Sequence, residues 1–123
     1  MIRGLGCDVC AVPRMREILE KPRFLERWFT EYERGYIAAR RNAAETAAGI
    51  FAAKEAFAKA LGAGFSGLAP EKIGVRHDEK GAPYYEMSEP LRDAMAAVGA
   101  KRAFLSISHD GGVALAVAIL EGD

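Results

Sequence analysis

The chain has 123 residues, half of them hydrophobic and 28% charged, which is the balance of a globular domain and excludes a disordered chain. Seventeen basic residues balance seventeen acidic ones, which argues against a general nucleic-acid binder because such proteins carry a basic excess. The length predicts one domain spanning residues 1–123. No apolar run approaches the ~20 residues of a membrane span, and the N-terminus lacks a signal-peptide core, so we expect a cytoplasmic protein.

Residues 2–11 are predicted to form a strand whose two faces differ. One face carries Gly4, Gly6 and Asp8, and we expect the glycines to leave open space in which a ligand approaches the carboxylate. The alternative, a glycine-loosened edge strand with a solvated aspartate, stays open. The other face is predicted to be apolar and consists of Leu5, Cys7, Val9 and Ala11. Cys10 falls opposite Cys7, which disfavours a redox pair or a zinc site.

Two short helical segments are predicted next, beginning near Pro13 and Pro22, because proline suits the first turn of a helix. This stretch holds a cluster of basic side chains: Arg14, Arg16, Lys21, Arg23 and Arg27. Two interpretations remain open for the cluster. It is a solvated helix face, or it is a docking surface for an acidic partner.

Capping signals predict two further helices. Thr30 with Glu33 forms a capping box for a helix that ends near Arg41. Asn42 with Glu45 opens the longest helix, from about Ala43 to Leu61, which Gly62 ends.

The pattern of the long helix separates an apolar stripe from a polar face. At 100° per residue, Ile50, Phe57 and Leu61 lie close to one line, which we predict to be the core stripe. Lys54 borders this stripe, and Glu55 and Lys59 lie together on the opposite face.

The loop at 62–70, GAGFSGLAP, contains the spelling GxGxxG. It follows a helix, whereas the dinucleotide-binding version follows a strand, so we reject that interpretation. A loop that binds phosphate through its backbone N–H groups stays open. Two hairpins, at 73–87 and 103–120, then flank a helix capped by Ser88. The last strand, VALAVAIL, is apolar on both faces, which predicts a central strand or one buried against another subunit. The fold class is therefore α+β.

Asp8, Glu55 and Lys59 together suggest a phosphate-transfer site. Mg²⁺ prefers carboxylate oxygens and completes its octahedron with water and phosphate oxygens. A lysine one turn from Glu55 offers a cation to a second phosphate or to the leaving group, and phosphoryl-type transfer needs mainly charge neutralisation and positioning.

At FAAKEAFAKAL (51–61) the chain resembles the W/F-x-x-K-E-A-x-x-K motif of 4′-phosphopantetheinyl transferases. GLGCDVCAVPRM is similar to the G-x-D-I motif of the short bacterial form of that superfamily. The segments FTEYE, GAGF, DEKGAPYYE and SISHDGGVALAVAIL also match in order and spacing. The resemblance covers essentially the whole chain, and the most similar group is the holo-[acyl-carrier-protein] synthases.

The resemblance implies an α+β fold with an antiparallel sheet packed against a long helix and shorter helices. It implies Mg²⁺-dependent transfer of 4′-phosphopantetheine from coenzyme A to a serine of apo acyl carrier protein, for fatty acid or polyketide synthesis. Asp8 and Glu55 would hold the metal, and Lys59 would touch the diphosphate. The serine proton would pass to Glu55 or to a water on the metal, and these alternatives stay open.

The resemblance also implies binding surfaces and an assembly. The coenzyme A site would include Lys54, Lys59, Gly62, Gly64, Phe65, Ser108 and His109. Arg14, with its neighbours Arg16, Lys21, Arg23 and Arg27, would dock the acidic carrier protein. The family is usually a homotrimer with sites between subunits. Members commonly carry arginine at the position of Ile50, so a contact to ligand phosphates is missing there or is supplied elsewhere.

Two other function classes stay open. A non-catalytic coenzyme A-binding or carrier-binding module would not require the full set of Asp8, Glu55 and Lys59. A different Mg²⁺-dependent phosphodiester enzyme would use the same ligands and leave the carrier unmodified.

Overall fold

Five helices and five strands make up the fold of this computed structural model, which describes residues 1–123 except the side chain of Ser66. In chain order they are β1 (Ile2–Ala11), α1 (Val12–Ile18), α2 (Pro22–Trp28), α3 (Glu31–Ala38), α4 (Ala43–Leu61), β2 (Val75–His77), β3 (Pro83–Tyr85), α5 (Glu89–Ala97), β4 (Arg102–Asp110) and β5 (Val113–Glu121). Short 3₁₀ turns lie at Gly64–Ser66 and Pro70–Lys72. The predicted α+β class is confirmed.

The main sheet is antiparallel and has the strand order β1-β5-β4. The central position of β5 confirms one of the two placements predicted for this strand. Its alanines are fully buried, whereas Val113 and Leu115, which point to the opposite face, are each 39% exposed. The register places Asp8 of β1 opposite Ala116, which in turn lies opposite Ile107 of β4. A second, two-stranded sheet pairs β2 with β3.

The glycines of β1 have a different role from the predicted one. A Cβ atom on Gly6 would lie 2.0 Å from the Ala56 carbonyl oxygen, and one on Gly4 would lie 2.1 Å from the Ala60 oxygen. The glycines therefore allow α4 to pack directly on the strand, and the expected open ligand space is filled by the helix.

The predicted apolar face of β1 accordingly points away from the core. Leu5 is 66% exposed and Val9 is 60% exposed, while Cys10 on the helix side is buried. The opposite orientations of Cys7 and Cys10 are confirmed, and both thiols are free. The sheet thus has one face covered by α4 and one bare apolar face.

Helix α4 forms the centre of the core. Ile50 and Phe57 are buried as the stripe predicts, but most alanines of the helix are buried as well. Small side chains allow β1 and β5 to approach one side of α4 while α1 and α3 pack on others. Gly62 ends the helix with φ +82°, as predicted, whereas Asn42 makes no side-chain capping bond.

The predicted capping box of α3 is present. Thr30 accepts a hydrogen bond from the Glu33 backbone N–H, and the Glu33 carboxylate accepts one from the Thr30 N–H. The helix ends at Ala38, before the predicted end near Arg41. Among the described residues, no helix is both long and apolar enough to span a membrane.

Candidate active site

Asp8, Glu55 and Lys59 meet where β1 crosses the C-terminal half of α4. Lys59 Nζ donates to Asp8 Oδ1 at 2.8 Å and to the Cys7 carbonyl oxygen at 3.1 Å. The Lys59 side chain is 56% exposed and that of Asp8 is 12% exposed, so the ammonium faces solvent over a nearly buried carboxylate. The hydrogen bond to Asp8 raises the pKa of Lys59, which keeps this residue cationic.

The two carboxyl groups of this cluster hold their protons very differently. Partial burial raises the pKa of Glu55 to about 7, with the neighbouring Asp8 adding to the effect. Burial alone would raise the pKa of Asp8, but its interactions with the Glu55 carboxyl and the Lys59 ammonium outweigh burial and lower it. Once Glu55 loses its proton, two carboxylates face the single ammonium of Lys59, so the cluster carries excess negative charge.

The chemistry of this cluster fits a hard divalent cation. Asp8 Oδ2 is buried, and once Glu55 has lost its proton this oxygen has no hydrogen-bond donor among the described atoms, which is costly when nothing compensates it. A cation between Asp8 and Glu55 would compensate both the orphaned oxygen and the mutual repulsion. The described residues contain no group of three or more His, Cys, Asp or Glu side chains that could hold a metal. Two carboxylates suit Mg²⁺, which keeps waters and takes substrate phosphates as further ligands.

The glycine-rich loop lies at the same end of α4 as this cluster, because it begins directly after Leu61. Gly62 and Gly64 have φ values of +82° and +59°, conformations that favour glycine, and a Cβ at either would meet nothing within 4 Å. Phe65 packs edge-on against Trp28, with 5.2 Å between the ring centroids. The predicted loop residues therefore follow Lys59 within a few positions of the chain, and the backbone at the two glycines is accessible.

His109 lies elsewhere. Its Nε2 donates to the Glu45 carbonyl at 3.1 Å, and it would be 3.0 Å from a Cβ on Gly49. Gly49 and Lys59 are ten residues apart on α4, or about 15 Å at the helical rise. His109 and the Asp8 cluster therefore lie near different parts of α4 within a single chain.

Ser108 points to the opposite side of β4 from His109. Side chains alternate along a strand, and Ser108 lies in register with Leu115 and Val9 of the bare apolar face. Within a single chain the side chains of Ser108 and His109 therefore point to opposite sides of β4, and their joint contact with coenzyme A stays a prediction.

A cavity of about 350 Å³ surrounds His109 and contains residues that the sequence analysis missed. The His77 ring stacks on the Tyr36 ring with 3.9 Å between centroids. The Arg40 guanidinium lies 4.2 Å from the centroid of the Tyr36 ring. Burial, and then the charge of Arg40, lowers the pKa of His77. Ile50 also lines this cavity. Tyr36 and Arg40 are four residues apart, a spacing that would place both side chains on one face of the predicted helix. Nothing in the neighbouring sequence indicated that β2 would pack against this face.

Lys54 is not accessible to a ligand, which corrects the predicted coenzyme A contact. Its side chain is fully buried, and Nζ lies 2.7 Å from Glu33 Oε1. Nζ also donates to the carbonyl oxygens of Pro70 at 2.9 Å and Ile73 at 2.7 Å. Burial lowers the pKa of Lys54 while Glu33 opposes that effect. Lys54 borders the apolar stripe as predicted, and other segments of the same chain cover it.

The basic cluster lies on the surface of α1 and α2. All five side chains are exposed, and none forms an ion pair with a described residue: Arg14, Arg16, Lys21, Arg23 and Arg27. The charge of Arg14 acts on the carboxylate cluster, because it opposes the rise that burial causes in the pKa values of Glu55 and Cys10. These unpaired basic side chains face solvent, where an acidic partner could contact them.

Known proteins resemble the chain along its whole length. The family model of the 4′-phosphopantetheinyl transferase superfamily matches residues 4–118. A holo-[acyl-carrier-protein] synthase of Myxococcus xanthus is 44% identical, covering 98% of this chain and 95% of its own length. One from Halothermothrix orenii is 42% identical, with 98% of each chain covered.

Solved structures agree with the sequence relatives. The crystal structure of the holo-[acyl-carrier-protein] synthase from Neisseria meningitidis has a TM-score of 0.89 at 31% identity and covers 98% of this chain and 99% of its own. The Bacillus anthracis enzyme in complex with CoA (3′,5′-ADP) has a TM-score of 0.83 at 34% identity, covering 100% and 99%. The chain therefore belongs to the 4′-phosphopantetheinyl transferase superfamily, as an enzyme of the holo-[acyl-carrier-protein] synthase group.

Proposed function

We propose that residues 1–123 form a transferase domain that moves 4′-phosphopantetheine from coenzyme A to a serine of apo acyl carrier protein. The released product is adenosine 3′,5′-bisphosphate. The observation that carries the proposal is the joint presence of Asp8, Glu55 and Lys59 in one cluster of a chain that belongs to this transferase superfamily. A binding module would gain nothing from two repelling carboxylates beside a lysine.

Asp8 and Glu55 are the residues that would hold Mg²⁺. The bound ion would neutralise charge on the coenzyme A diphosphate. Asp8 is already anionic, because its pKa is lowered. Glu55 must give up the proton that its raised pKa retains near neutrality, so these two side chains bind a cation best above pH 7.

Lys59 serves the leaving group. Its exposed ammonium is anchored by Asp8 and by the Cys7 carbonyl, which orients Nζ toward solvent at the mouth of the cluster. There it can neutralise, or protonate, the bisphosphate oxygen that departs. The carrier serine must lose a proton as it attacks, and either the Glu55 carboxylate or a water molecule beside it would accept that proton.

We propose a homotrimer, the assembly that the family resemblance implies, with each site shared between copies. The bare face of the sheet supports contact between copies, because Leu5, Val9 and Phe104 are each more than half exposed. The separation of His109 from the Asp8 cluster along α4 supports sharing. A ligand that is shorter than this separation of about 15 Å and contacts both groups would take them from two chains.

The cavity around His109 would bind the phosphorylated nucleoside end of a coenzyme A molecule whose diphosphate lies at the Asp8 cluster of a neighbouring copy. Ile50 supplies no charge there, but Arg40 lines the same cavity and provides a guanidinium for a phosphate. Arg40 thus replaces the contact that members of the family commonly obtain from arginine at position 50.

The proposal is tested by incubating the protein with coenzyme A, Mg²⁺ and several apo carrier proteins from fatty acid and polyketide synthesis. A gain of one phosphopantetheine in carrier mass supports transfer, and the preferred carrier indicates the pathway. Asp8→Asn and Glu55→Gln should abolish the gain, whereas Glu20→Gln on the surface of the molecule should not. Hydrolysis of coenzyme A without carrier modification would establish the alternative phosphodiester enzyme. Binding without either reaction would establish the binding module.

A further inference from the structure

The buried ion pair between Lys54 and Glu33 joins four segments of the chain. Glu33 Oε1 accepts from Lys54 and from the Thr30 N–H at 2.8 Å, and Oε2 accepts from the Val75 N–H at 2.6 Å. α3 and β2 are therefore both bound through one carboxylate.

Lys54 extends this network to the segment that follows the glycine-rich loop. Its three N–H groups are matched by three acceptors: Glu33 and the carbonyls of Pro70 and Ile73. Every polar atom of the pair has a partner at zero solvent exposure, which is the condition under which a buried ion pair is tolerated. The chain itself therefore satisfies the pair without any ligand.

The network has its effect on residues 62–69, which run from the end of α4 to Pro70. The start of this loop is fixed by α4, which ends at Leu61, and its end is fixed where Lys54 holds the Pro70 carbonyl. Between these points Leu68 is buried in the core and Phe65 packs edge-on against Trp28, whereas Gly62 and Gly64 face open space. The shape of the glycine-containing half of the loop thus depends on these contacts and on where the two ends of the loop are fixed.

We propose that Lys54 is a positioning residue that holds the glycine-rich loop in its ligand-binding shape by binding the end of the loop to α4. The inference rests on the proposed function, because Gly62, Gly64 and Phe65 are expected to contact coenzyme A. Lys54 lies next to Glu55 in the chain, so the same helical turn presents a metal ligand on one side and anchors the loop on the other. Loss of the anchor raises the conformational cost of binding coenzyme A more than that of docking the carrier at Arg14, which lies on α1 and not on the helix that Phe65 contacts.

The test compares Lys54→Met, which keeps most of the side-chain volume, with Met95→Ala. The second variant loses a fully buried side chain in α5 and controls for general destabilisation. Amide hydrogen exchange without ligand should accelerate at residues 62–69 in Lys54→Met only. Quenching of Trp28 fluorescence by acrylamide should increase in parallel, since this sole tryptophan contacts Phe65.

Kinetics then separate the loop from the rest of the site. The KM for coenzyme A should rise by about tenfold in Lys54→Met while the KM for carrier protein changes by less than about twofold. Loop exchange equal to that of the wild type or of Met95→Ala, or equal rises in both KM values, would overturn the proposal. If Lys54→Met does not fold, Glu33→Gln weakens the same anchor and should give the same pattern. Failure of the wild type to modify any carrier would refute the proposed function, and the exchange measurement would still decide on the anchor.

Discussion

Replacement of Glu55 by glutamine should stabilise the metal-free protein at alkaline pH while it abolishes transfer. In the unfolded chain Glu55 loses its proton near pH 4.5, whereas in the folded chain it retains the proton to about pH 7. The folded state therefore binds an additional proton between these values, and the stability contributed by protonated Glu55 is lost as pH rises through about 7. Glutamine cannot ionise, so the variant keeps a neutral neighbour beside Asp8 at every pH.

The expected size follows from the pKa and the exposure of the side chain. A pKa change of this extent corresponds to at most about 3 kcal/mol in a fully buried site. Glu55 is only half-buried, and solvent screening reduces the effect to about 1–2 kcal/mol. For a chain of this length that is roughly 3–8 °C in Tm. This gain in stability is accompanied by a loss of activity, as is common where a functional site brings like charges together.

The assay is thermal unfolding of the wild type, Glu55→Gln and the surface control Glu20→Gln at pH 5 and pH 8 in the presence of a chelator. The advantage of Glu55→Gln over the wild type should be small at pH 5 and reach its full size at pH 8. Addition of Mg²⁺ at pH 8 should raise the Tm of the wild type and leave that of Glu55→Gln nearly unchanged. An advantage that does not depend on pH, or a less stable variant at pH 8, would refute the electrostatic reasoning.

Three further changes test the packing, the assembly and the docking surface. Gly6→Ala should destabilise the fold by at least about 2 kcal/mol in urea unfolding, because its Cβ meets backbone of α4 at 2.0 Å, whereas Gly35→Ala on open helix surface should be neutral or stabilising. Leu5→Glu should shift the light-scattering mass toward the 13.3 kDa of one chain. Arg14→Glu should raise the KM for carrier protein and weaken its salt dependence, with coenzyme A binding unchanged by calorimetry and Arg92→Glu as control.

Each of these expectations has a contrary outcome. Equal stability of Gly6→Ala and the wild type would mean that α4 is not held against β1 as described. A wild type that scatters as a single chain would refute the trimer, and an unchanged mass for Leu5→Glu would remove the bare sheet face from the interface. Loss of coenzyme A affinity in Arg14→Glu would place this arginine in the nucleotide site instead of the docking surface.

Local signals in the sequence predicted the elements well. The capping box of Thr30 and Glu33, the span of α4 and its end at Gly62 depend on side chains within a few residues of one another, so a short window contains the physics. The position of Glu55 and Lys59 on one helix face follows from helical geometry in the same way. Their chemical pairing with Asp8 was suggested by residue type alone and required the structure to show the 2.8 Å contact.

Tertiary structure decided the features that depend on residues far apart in the chain. Strand alternation shows which residues of β1 share a face but not which face meets the helix, and only the contact of Gly6 with α4 settles that. The burial of Lys54 depends on Glu33 and on a loop that returns over it, and the cavity at His109 depends on α3 meeting β2. Whether a polar side chain lies in a site or in the core is determined by which partners the fold brings to it, because burial is tolerated only where every charge is paired.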